Sequence, residues 1–327
     1  MKLQRPLLQL EQQINQQVLG QPSLVRMLII ALLCDGHILL EGLPGLAKTR
    51  AVRELARHLD GEFRRIQFTP DLLPADITGS EIYQQHATSA DDQFSFRPGP
   101  VFGNLVLADE INRASARVQS ALLEAMEERH VTVAGTSWPL PSPFMVLATQ
   151  NPVDQEGTWP LPEAQLDRFL MKVLVDYPSV EHERQVMALV RAEQQKANDD
   201  VTPDTPTQKL TAEILHQCRQ AIASIYVAPA MEEYIINLIC VTRDPRSVSD
   251  TLASYIALGV SPRGTLALDR AARAHAWLND REAVQPEDIQ AVAPAVLRHR
   301  ILLSYQASAD NYSADDAIAT LLSVVVP

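Results

Sequence analysis

The segment GLPGLAKT, residues 42–49, combines glycines, a lysine and a threonine in the order of a phosphate-binding loop. It follows a predicted strand and opens a predicted helix, which is the setting that this chemistry requires. Backbone N–H groups of the loop and the positive end of the helix can surround a polyphosphate. Lys48 would reach the β- and γ-phosphates, and the hydroxyl of Thr49 would be available to Mg²⁺. The segment therefore predicts a nucleotide site, with a glycine-rich turn and a surface lysine as the alternative.

The loop departs from the strict pattern G-x-x-x-x-G-K-[ST] at one position, where Ala47 stands in place of the second glycine. Ala47 directly precedes Lys48, so the chain should already be entering helical geometry, and a methyl group should cost little there. Gly42 and Gly45 occupy the part of the loop where a positive φ or the close approach of a ligand is expected. We therefore expect the substitution to leave phosphate binding intact.

Two acidic residues follow the apolar run LVLA at 105–108, in the predicted strand NLVLAD at 104–109. Asp109 and Glu110 would lie at the carboxyl end of a strand, where open α/β sheets bind their ligands. Asp109 could hold Mg²⁺, and Glu110 could polarise an attacking water as a general base. On its own, an Asp-Glu pair could instead be favourable charge at a helix N-terminus. Together with the loop at 42–49, the pair predicts hydrolysis of a nucleoside triphosphate.

Three further polar residues lie at the ends of predicted elements. Asn151 follows the apolar run PFMVLAT and could orient the lytic water or contact the γ-phosphate, although Asn-Pro also marks ordinary turns. The sheet pattern does not explain Arg168 in LPEAQLDRF, for which a surface ion pair with Glu163 or Asp167 is the alternative. Arg263 in SPRG begins a predicted helix, where a cation opposes the helix dipole and a bound anion would stabilise it.

Apolar spacing predicts the elements that position these residues. Short apolar runs predict five strands, and helical patterns such as 47–59 and 115–129 lie between them, so we expect a parallel sheet covered on both faces. The predicted strands are 37–42, 63–69, 104–109, 143–149 and 169–175. Beyond residue 210 almost every segment has helical spacing, and the predicted helices are 211–227, 229–243, 247–258, 265–279 and 286–303.

The chain is expected to divide into two domains. Residues 1–190 would form the α/β domain, which contains an irregular insert at 76–103 and a hairpin at 130–140. The polar, proline-bearing stretch 191–210 predicts a linker, and residues 211–327 predict a helical domain.

Composition narrows the functional class. The chain has 327 residues and a net charge of −12, which disfavours broad binding to nucleic acid or anionic membranes. The longest apolar run, 27–34, is shorter than the ~18 residues of a membrane span, and no secretory signal precedes it. Cys34, Cys218 and Cys240 are expected to be reduced core thiols of a cytoplasmic protein. The histidines lack zinc-site spacing, and no G-x-S-x-G elbow occurs.

The segments GLPGLAKT, LVLADE, ATQNP, PLPEAQLDRF and SPRG, in this order and spacing, resemble the MoxR family of AAA+ ATPases over nearly the whole chain. The phrases NRASARVQSALLEAMEER and LPEAQLDRFLMK are similar to that family more than to AAA+ proteins at large. The resemblance implies an α/β AAA+ P-loop NTPase core with a parallel five-stranded sheet of order 5-1-4-3-2. It also implies a C-terminal all-helical lid, ATP and Mg²⁺ as cofactors, and a homo-oligomeric ring that is usually hexameric.

The resemblance also assigns roles to individual residues. The nucleotide-binding segment would comprise Gly42, Leu43, Pro44, Gly45, Leu46, Ala47, Lys48, Thr49 and Arg50, with Gly20 of VLGQ on the adenine side. The Walker B pair would be Asp109 and Glu110, so that Thr49 and Asp109 hold Mg²⁺. Sensor 1 would be Asn151, sensor 2 would be Arg263, and Arg168 would be the arginine finger that acts on the neighbouring subunit. Gln67 matches the polar switch residue that restrains the Walker B glutamate.

MoxR-like ATPases are chaperone-like machines for the assembly, metal insertion or maturation of protein complexes, commonly with partners that carry a von Willebrand factor A domain. The resemblance implies such a role here. Two other functions stay open. One is a motor subunit of the magnesium-chelatase or helicase type, although the acidic balance disfavours a DNA motor. The other is a nucleotide-gated binding module in which hydrolysis only resets the ring.

Overall fold

The computed structural model describes residues 3–43, 46, 48–83, 94–152, 157–198 and 209–327. Its strands are β1 (Ile38–Gly42), β2 (Phe63–Gln67), β3 (Gly79–Tyr83), β4 (Phe94–Pro98), β5 (Leu105–Asp109), β6 (His130–Val133), β7 (Thr136–Pro139), β8 (Met145–Gln150), β9 (Met171–Val175), β10 (Ile256–Leu258) and β11 (Leu302–Leu303). In these ranges no helix is long and apolar enough to cross a membrane.

The helices lie mainly between the core strands and beyond β9. They are α1 (Gln4–Gln17), α2 (Pro22–Leu33), α3 (Lys48–His58), α4 (Pro74–Thr78), α5 (Ala116–Glu128), α6 (Glu163–Leu166), α7 (Val180–Asn198), α8 (Ala212–Ala223), α9 (Pro229–Arg243), α10 (Asp250–Tyr255), α11 (Pro262–Leu278), α12 (Pro286–Leu297), α13 (Tyr305–Ala309) and α14 (Ala314–Val324).

The core is a five-stranded sheet in the order β2-β5-β8-β1-β9, and every neighbouring pair is parallel. Counted along the chain, these five strands have the order 5-1-4-3-2, so the predicted topology is confirmed. All five predicted strands are present, each within a few residues of its expected bounds. The order brings the carboxyl ends of β1, β5 and β8 together at the centre of one sheet edge, where ligands bind in open α/β sheets.

The central strands are buried on both faces of the sheet, and successive side chains of each strand point to opposite sides. Leu105 and Leu107 of β5 join a hydrophobic cluster that contains α2, whereas Val106 and Ala108 join a second cluster that contains α5. Strands buried on both faces have continuous apolar runs, which is why the pattern LVLA identified this strand.

Two antiparallel hairpins extend from the α/β core. β3 pairs with β4 inside the predicted insert 76–103, and residues 84–93 between them lie outside the described residues. β6 pairs with β7, which confirms the hairpin predicted at 130–140. Ala134 and Gly135 have φ values of +48° and +83°, which suits a two-residue turn with both central residues in the left-handed region.

The C-terminal helical region departs from the prediction at two points. α10 ends at Tyr255 and α12 at Leu297, and the segments that follow them pair as β10 and β11 instead of continuing the predicted helices 247–258 and 286–303. After α12 the chain turns because Arg298 and Arg300 donate hydrogen bonds to backbone carbonyls of the α/β core.

The stretch predicted as a linker, 191–210, begins in a helix, because α7 continues to Asn198. Residues 199–208 lie outside the described residues. Cys34 and Cys218 are buried, but Cys240 is exposed, so the prediction of a core thiol was wrong for Cys240. α9 buries Leu238 and Ile239, and Cys240 falls on the opposite, solvent-facing side of that helix.

Candidate functional site

The loop after β1 approaches the sheet so closely that it requires glycine at its start. A Cβ added to Gly42 would lie 2.5 Å from the carbonyl oxygen of Val175 on β9. Lys48 opens α3, and its ammonium group donates a hydrogen bond to the carbonyl oxygen of Gly42. Of the predicted loop residues, Pro44, Gly45 and Ala47 lie outside the described residues.

Lys48 is half-buried at the edge of the sheet, near three carboxylates. Burial lowers the pKa of its ammonium group, and the negative charges of Asp109, Glu110 and Glu41 act in the opposite direction. The structure therefore brings the predicted phosphate-binding lysine within electrostatic range of both predicted Walker B residues. A lysine at a helix N-terminus is a setting in which a polyphosphate would find both a cation and backbone donors.

Thr49 and Arg50 occupy the first turn of α3, directly after Lys48. Arg50 donates a hydrogen bond of 3.1 Å to the side chain of Gln17 on α1. This contact ties the start of α3 to the helix that precedes the predicted adenine-side segment.

Asp109 is held by two side chains of neighbouring strands. Thr149 of β8 donates to Asp109 Oδ1 at 2.6 Å, and Arg65 of β2 donates to Oδ2 from Nη2 at 2.6 Å and from Nε at 3.2 Å. The same Thr149 hydroxyl accepts a hydrogen bond from the backbone N–H of Glu110 at 2.9 Å. Thr149 thus fixes both acidic residues relative to β8.

Glu110 has a left-handed backbone, with φ at +58° and ψ at +49°. Residues other than glycine rarely adopt this conformation, and such outliers are concentrated at functional sites. The Glu110 carboxylate accepts a hydrogen bond from Gln67 Nε2 at 3.0 Å and forms an ion pair with Arg113 at 3.1 Å. The backbone outlier and two side-chain contacts together fix where this carboxylate lies.

A chain of polar contacts links Asp109 to Glu110 through β2. The parallel register places Gln67 beside Asp109, and Arg65 Nη2 donates to Gln67 Oε1 at 3.0 Å. Because this bond occupies the amide oxygen, the Nε2 group is the end that donates to Glu110. Arg65 therefore contacts the predicted metal ligand and orients the predicted switch glutamine.

Asn151 and Gly20 lie in two other connecting segments, the first after β8 and the second between α1 and α2. Asn151 follows β8 and is buried. Gly20 has a φ of +78°, and an added Cβ would lie 3.0 Å from the side chain of His182 at the start of α7. The next residue, Gln21, donates to the carbonyl oxygen of Asp176 at 2.7 Å.

A cavity of about 230 Å³ lies beside the described part of the loop. It joins the loop to the segments that follow β8 and β9, and its lining includes Gly42, Leu46, Pro152, Asp176 and Tyr177. The Gln21 contact with Asp176 places the predicted adenine-side segment next to this cavity.

The two predicted arginines share one carboxylate. Arg168 Nε lies 2.5 Å from Glu127 Oε2, and Arg263 Nη2 contacts Glu127 Oε1. The alternative prediction for Arg168, a surface ion pair with Glu163 or Asp167, was wrong. Within the described ranges, Arg168 and Arg263 each form an ion pair with Glu127 alone. These contacts hold the pKa of Glu127 below its usual value, and the hydrogen bond from Arg168 is the largest cause.

Asp167 instead binds the C-terminal helical region. Arg300 Nε lies 2.8 Å from Asp167 Oδ1, and the hydroxyl of Ser261 donates to Oδ2 at 2.8 Å. Ser261 is the N-cap of α11, two residues before Arg263. The structure therefore forms two groups from the predicted site residues, one around Lys48 and one around Glu127.

Sequence reasoning missed Arg65, Thr149, Glu127 and Arg300. Arg65 and Thr149 were recoverable, because Arg65 alternates with Gln67 on one face of β2 and Thr149 is the last residue but one of β8, the strand that precedes Asn151. No local pattern distinguishes Glu127 from the other acidic residues of α5, since its partners are far away in the sequence.

Residues 37–171 match the family model "ATPase family associated with various cellular activities (AAA)", and residues 251–321 match the model "AAA lid domain". The chain is 45% identical over 309 residues to chaperone MoxR1 of Mycobacterium tuberculosis, which covers 94% of this chain and 78% of that protein. It is 36% identical over 310 residues to protein MoxR of Paracoccus denitrificans, covering 90% of this chain and 88% of that protein.

A crystal structure of an ATPase from Cytophaga hutchinsonii matches with a TM-score of 0.89 at 44% identity, covering 99% of this chain and 96% of that one. A weaker similarity, 27% identity over 329 residues, extends to the magnesium-chelatase 38 kDa subunit of Acidiphilium rubrum, and it covers 87% of this chain and 89% of that protein.

Proposed function

The chain belongs to the MoxR family of AAA+ ATPases, and we propose that its ATP hydrolysis drives chaperone-like remodelling of protein complexes. The remodelling would include assembly of such complexes or their maturation by metal insertion. The observation that carries the proposal is the convergence of Lys48, Asp109 and Glu110 at one sheet edge, with Gln67 bonded to the Glu110 carboxylate.

The donor set suits Mg²⁺, which typically takes one or two protein oxygens together with substrate phosphates and water. Asp109 already binds a cation, the guanidinium group of Arg65 at 2.6 Å, and Thr49 offers a hydroxyl in the first turn of α3, directly after Lys48. These two residues would hold the ion. When bound, Mg²⁺ would neutralise charge on the β- and γ-phosphates.

The remaining site residues would act on the phosphates and on the water. Lys48 would exchange its bond to the Gly42 carbonyl for phosphate oxygens. Glu110 would accept a proton from the attacking water, and Asn151 would orient that water. Since Gln67 holds Glu110 in the structure, the Glu110 carboxylate would have to leave the Gln67 amide before it acts as a base.

Catalysis would be completed between subunits. AAA+ proteins typically form oligomeric rings, and we propose a hexamer in which Arg168 reaches the γ-phosphate of the neighbouring subunit and Arg263 senses the nucleotide of its own. The side chain of Arg168 is 30% exposed, which supports its accessibility to a neighbour. A partner with a von Willebrand factor A domain, a client complex and a cytoplasmic location belong to the same proposal.

The domain division is part of the proposal as well. Residues 1–190 would be the nucleotide-binding core, 191–210 the connection and 211–327 the lid. The matches at 37–171 and 251–321 support this division, since each falls inside one of the two domains.

Replacement of the proposed general base tests this function. In the Glu110→Gln variant we expect Mg²⁺-dependent ATP hydrolysis to fall by about 100-fold or more, because the amide cannot accept the proton, while ATP binding persists. Phosphate release and binding of a fluorescent ATP analogue measure the two quantities. Glu232→Gln, an exposed lid position, is the charge-matched control and should retain wild-type turnover. Hydrolysis at the wild-type rate in Glu110→Gln would remove Glu110 from the proposed role.

A second candidate is a motor subunit of the magnesium-chelatase type, which the similarity at 27% identity favours. The two functions differ in the protein complex on which ATP turnover would act. A pull-down with the Glu110→Gln variant in ATP should retain the client of a remodelling ring. Capture of a magnesium-porphyrin enzyme complex would support the chelatase function instead. Full function with a non-hydrolysable ATP analogue would support a nucleotide-gated binding module.

A further inference from the structure

Glu127 is the meeting point of the two arginines that the proposed mechanism assigns to different nucleotides. We propose that Glu127 is a positioning residue that competes with phosphate for Arg263 and Arg168. The release of Arg168 towards a neighbour would then leave Glu127 to pair with Arg263 alone. It would thereby weaken the binding of Arg263 to the subunit's own nucleotide. The inference rests on the proposed function of these arginines, and its test separates the two.

The geometry joins three elements at this carboxylate. Glu127 lies near the end of α5, Arg168 lies between α6 and β9, and Arg263 lies in the first turn of α11. Each oxygen of the Glu127 carboxylate contacts one guanidinium group. A displacement of either arginine therefore changes the contacts that the carboxylate makes with the other.

A second set of bonds ties the same segments together. Ser261 Oγ accepts a hydrogen bond from the backbone N–H of Arg263 at 3.2 Å and donates to Asp167 Oδ2 at 2.8 Å. Asp167 directly precedes Arg168. The hydrogen bond between Ser261 and Asp167 thus connects the start of α11 to the segment that carries Arg168, in addition to the contacts through Glu127.

The charges favour exchange over permanent pairing. One carboxylate faces two guanidinium groups, so a local net charge of +1 persists that would attract a phosphate. The side chains of Glu127, Arg168 and Arg263 are 32%, 30% and 49% exposed, so each pair is screened by solvent and is weak. A polyphosphate carries more negative charge than a single carboxylate and would displace Glu127 from Arg263.

The position of Arg263 strengthens this conclusion. The arginine lies in the first turn of α11, a helix of 17 residues, where a cation opposes the helix dipole. Glu127 supplies a compensating negative charge. When Glu127 is neutralised, the γ-phosphate of bound ATP becomes the favoured anion for this guanidinium group.

Nucleotide affinity in a non-hydrolysing background tests the competition. The Glu127→Gln change is made in the Glu110→Gln variant, and binding of fluorescent ATP and ADP analogues is measured with Mg²⁺ at low ionic strength. We expect ATP to bind about 2- to 5-fold tighter, the range of an exposed ion pair, and ADP affinity to stay unchanged. Glu127→Asp in the same background keeps the charge, so its ATP affinity should remain close to that of the Glu110→Gln variant. Equal changes for ATP and ADP, or no change in ATP affinity, would overturn the inference.

Glu124→Gln is the matched control, because it removes the same charge one turn earlier on α5. Glu124 is exposed and forms no ion pair with any residue that the structure describes, so nucleotide affinity should not change. In an Arg263→Ala background the gain from Glu127→Gln should disappear. If the gain persists without Arg263, Glu127 does not act through that arginine and the inference is wrong.

Arg168 provides an independent arm of the test. Removing Arg168 leaves Glu127 to pair with Arg263 alone, so Arg168→Ala should weaken ATP binding about 2-fold or more when Glu127 is present. In the Glu127→Gln background the same substitution should have a smaller effect, and a double-mutant cycle measures the difference. Strict additivity would show that the two arginines do not share the carboxylate functionally.

The outcomes also distinguish this inference from the proposed function. If Lys48→Ala leaves ATP binding and hydrolysis unchanged, the proposed nucleotide site is wrong. If Lys48→Ala abolishes ATP binding while Glu127→Gln leaves ATP affinity unaltered, the nucleotide site stands and only the role of Glu127 is lost.

Discussion

The side-chain amide of Gln67 donates a hydrogen bond to Glu110 Oε2 across 3.0 Å, from the strand beside β5, whose last residue directly precedes Glu110. Glu110 approaches this amide from a left-handed backbone conformation, and Arg113 contacts the same oxygen atom. The two donors hold the carboxylate at its present position, so it must leave the Gln67 amide before it can act on an attacking water. The structure therefore describes a restrained state of the proposed general base.

Removal of the restraint should raise basal turnover. In Gln67→Leu the carboxylate of Glu110 loses one donor, and we expect ATP hydrolysis without a partner to increase roughly 3- to 10-fold, in line with a partly exposed hydrogen bond to a charged group. Steady-state phosphate release at saturating ATP measures the change. The double variant Gln67→Leu/Glu110→Gln should be inactive. A fall in kcat at unchanged ATP affinity would mean that the amide assists the reaction.

Arg65 should compete with Mg²⁺ for Asp109. Its guanidinium group lies 2.6 Å from Asp109 Oδ2, so metal binding must displace a cation. We expect Arg65→Met to lower the Mg²⁺ concentration required for half-maximal ATP binding by about 2- to 5-fold, the range of an exposed ion pair. Titration of Mg²⁺ against a fluorescent ATP analogue measures this quantity.

Arg64→Met is the control for that experiment. Arg64 is the preceding residue of β2 and pairs with Glu62 instead of Asp109, so its loss should leave the Mg²⁺ requirement unchanged. A higher Mg²⁺ requirement in Arg65→Met would contradict competition and would indicate that Arg65 prepares Asp109 for the metal.

The sequence was sufficient for the sheet and for the residues at its edge. Apolar runs such as LVLA identify strands buried on both faces, and the polar residues that directly follow these strands must lie at one edge of a parallel sheet. The convergence of Lys48, Asp109 and Glu110 follows from this regularity. Contacts among polar side chains do not follow from this regularity, because they depend on side-chain rotamers and on partners that are distant in the sequence.

Glu127 illustrates the limit. Its partners lie 41 and 136 residues away, and α5 offers several acidic residues with the same local pattern. The early end of α12 has a similar cause, since Arg298 and Arg300 bind carbonyl groups of the α/β core. Helical spacing could not anticipate these tertiary contacts. Cys240 was misplaced because an apolar stretch was treated as buried throughout, although α9 has one exposed face.

Buried His37 should make stability depend on pH. His37 Nδ1 accepts a hydrogen bond from Val146 N at 2.9 Å, so the folded state requires the neutral ring. Burial lowers the pKa of His37 from 6.5 to about 3, and the charge of Arg129 acts in the same direction. The unfolded chain takes up a proton below about pH 6.5 while the folded chain does not, so the free energy of unfolding falls as the pH falls.

Urea denaturation at pH 7.5 and pH 5.0 measures this effect. The contribution of His37 to the loss should be about 2 kcal/mol at pH 5, since each pH unit below the unfolded pKa costs about 1.4 kcal/mol. In His37→Gln, which retains a donor and an acceptor, the loss between the two pH values should be smaller by that amount. His216→Gln, at an exposed position, should behave like the wild type. Equal pH dependence of His37→Gln and the wild type would contradict the assignment.

Arg300 should be a major contributor to the attachment of the C-terminal helical region. Its side chain is 3% exposed and forms an ion pair of 2.8 Å with Asp167. It also donates to the carbonyl oxygens of Phe169 at 2.7 Å and Leu170 at 3.1 Å. Arg300→Met keeps much of the volume but removes every donor, so a carboxylate and buried carbonyls lose their partner.

We expect Arg300→Met to reduce the free energy of unfolding by about 3–5 kcal/mol, the cost of breaking a buried pair on one side. Guanidinium chloride denaturation measures the loss, with Arg246→Met at an exposed position as the control that should stay within about 0.5 kcal/mol of wild type. Asp167→Asn in the Arg300→Met background should recover part of the stability, because it removes the unpaired charge. A loss below about 1 kcal/mol in Arg300→Met would show that solvent replaces these donors, and that Arg300 does not fix the segment carrying Arg168.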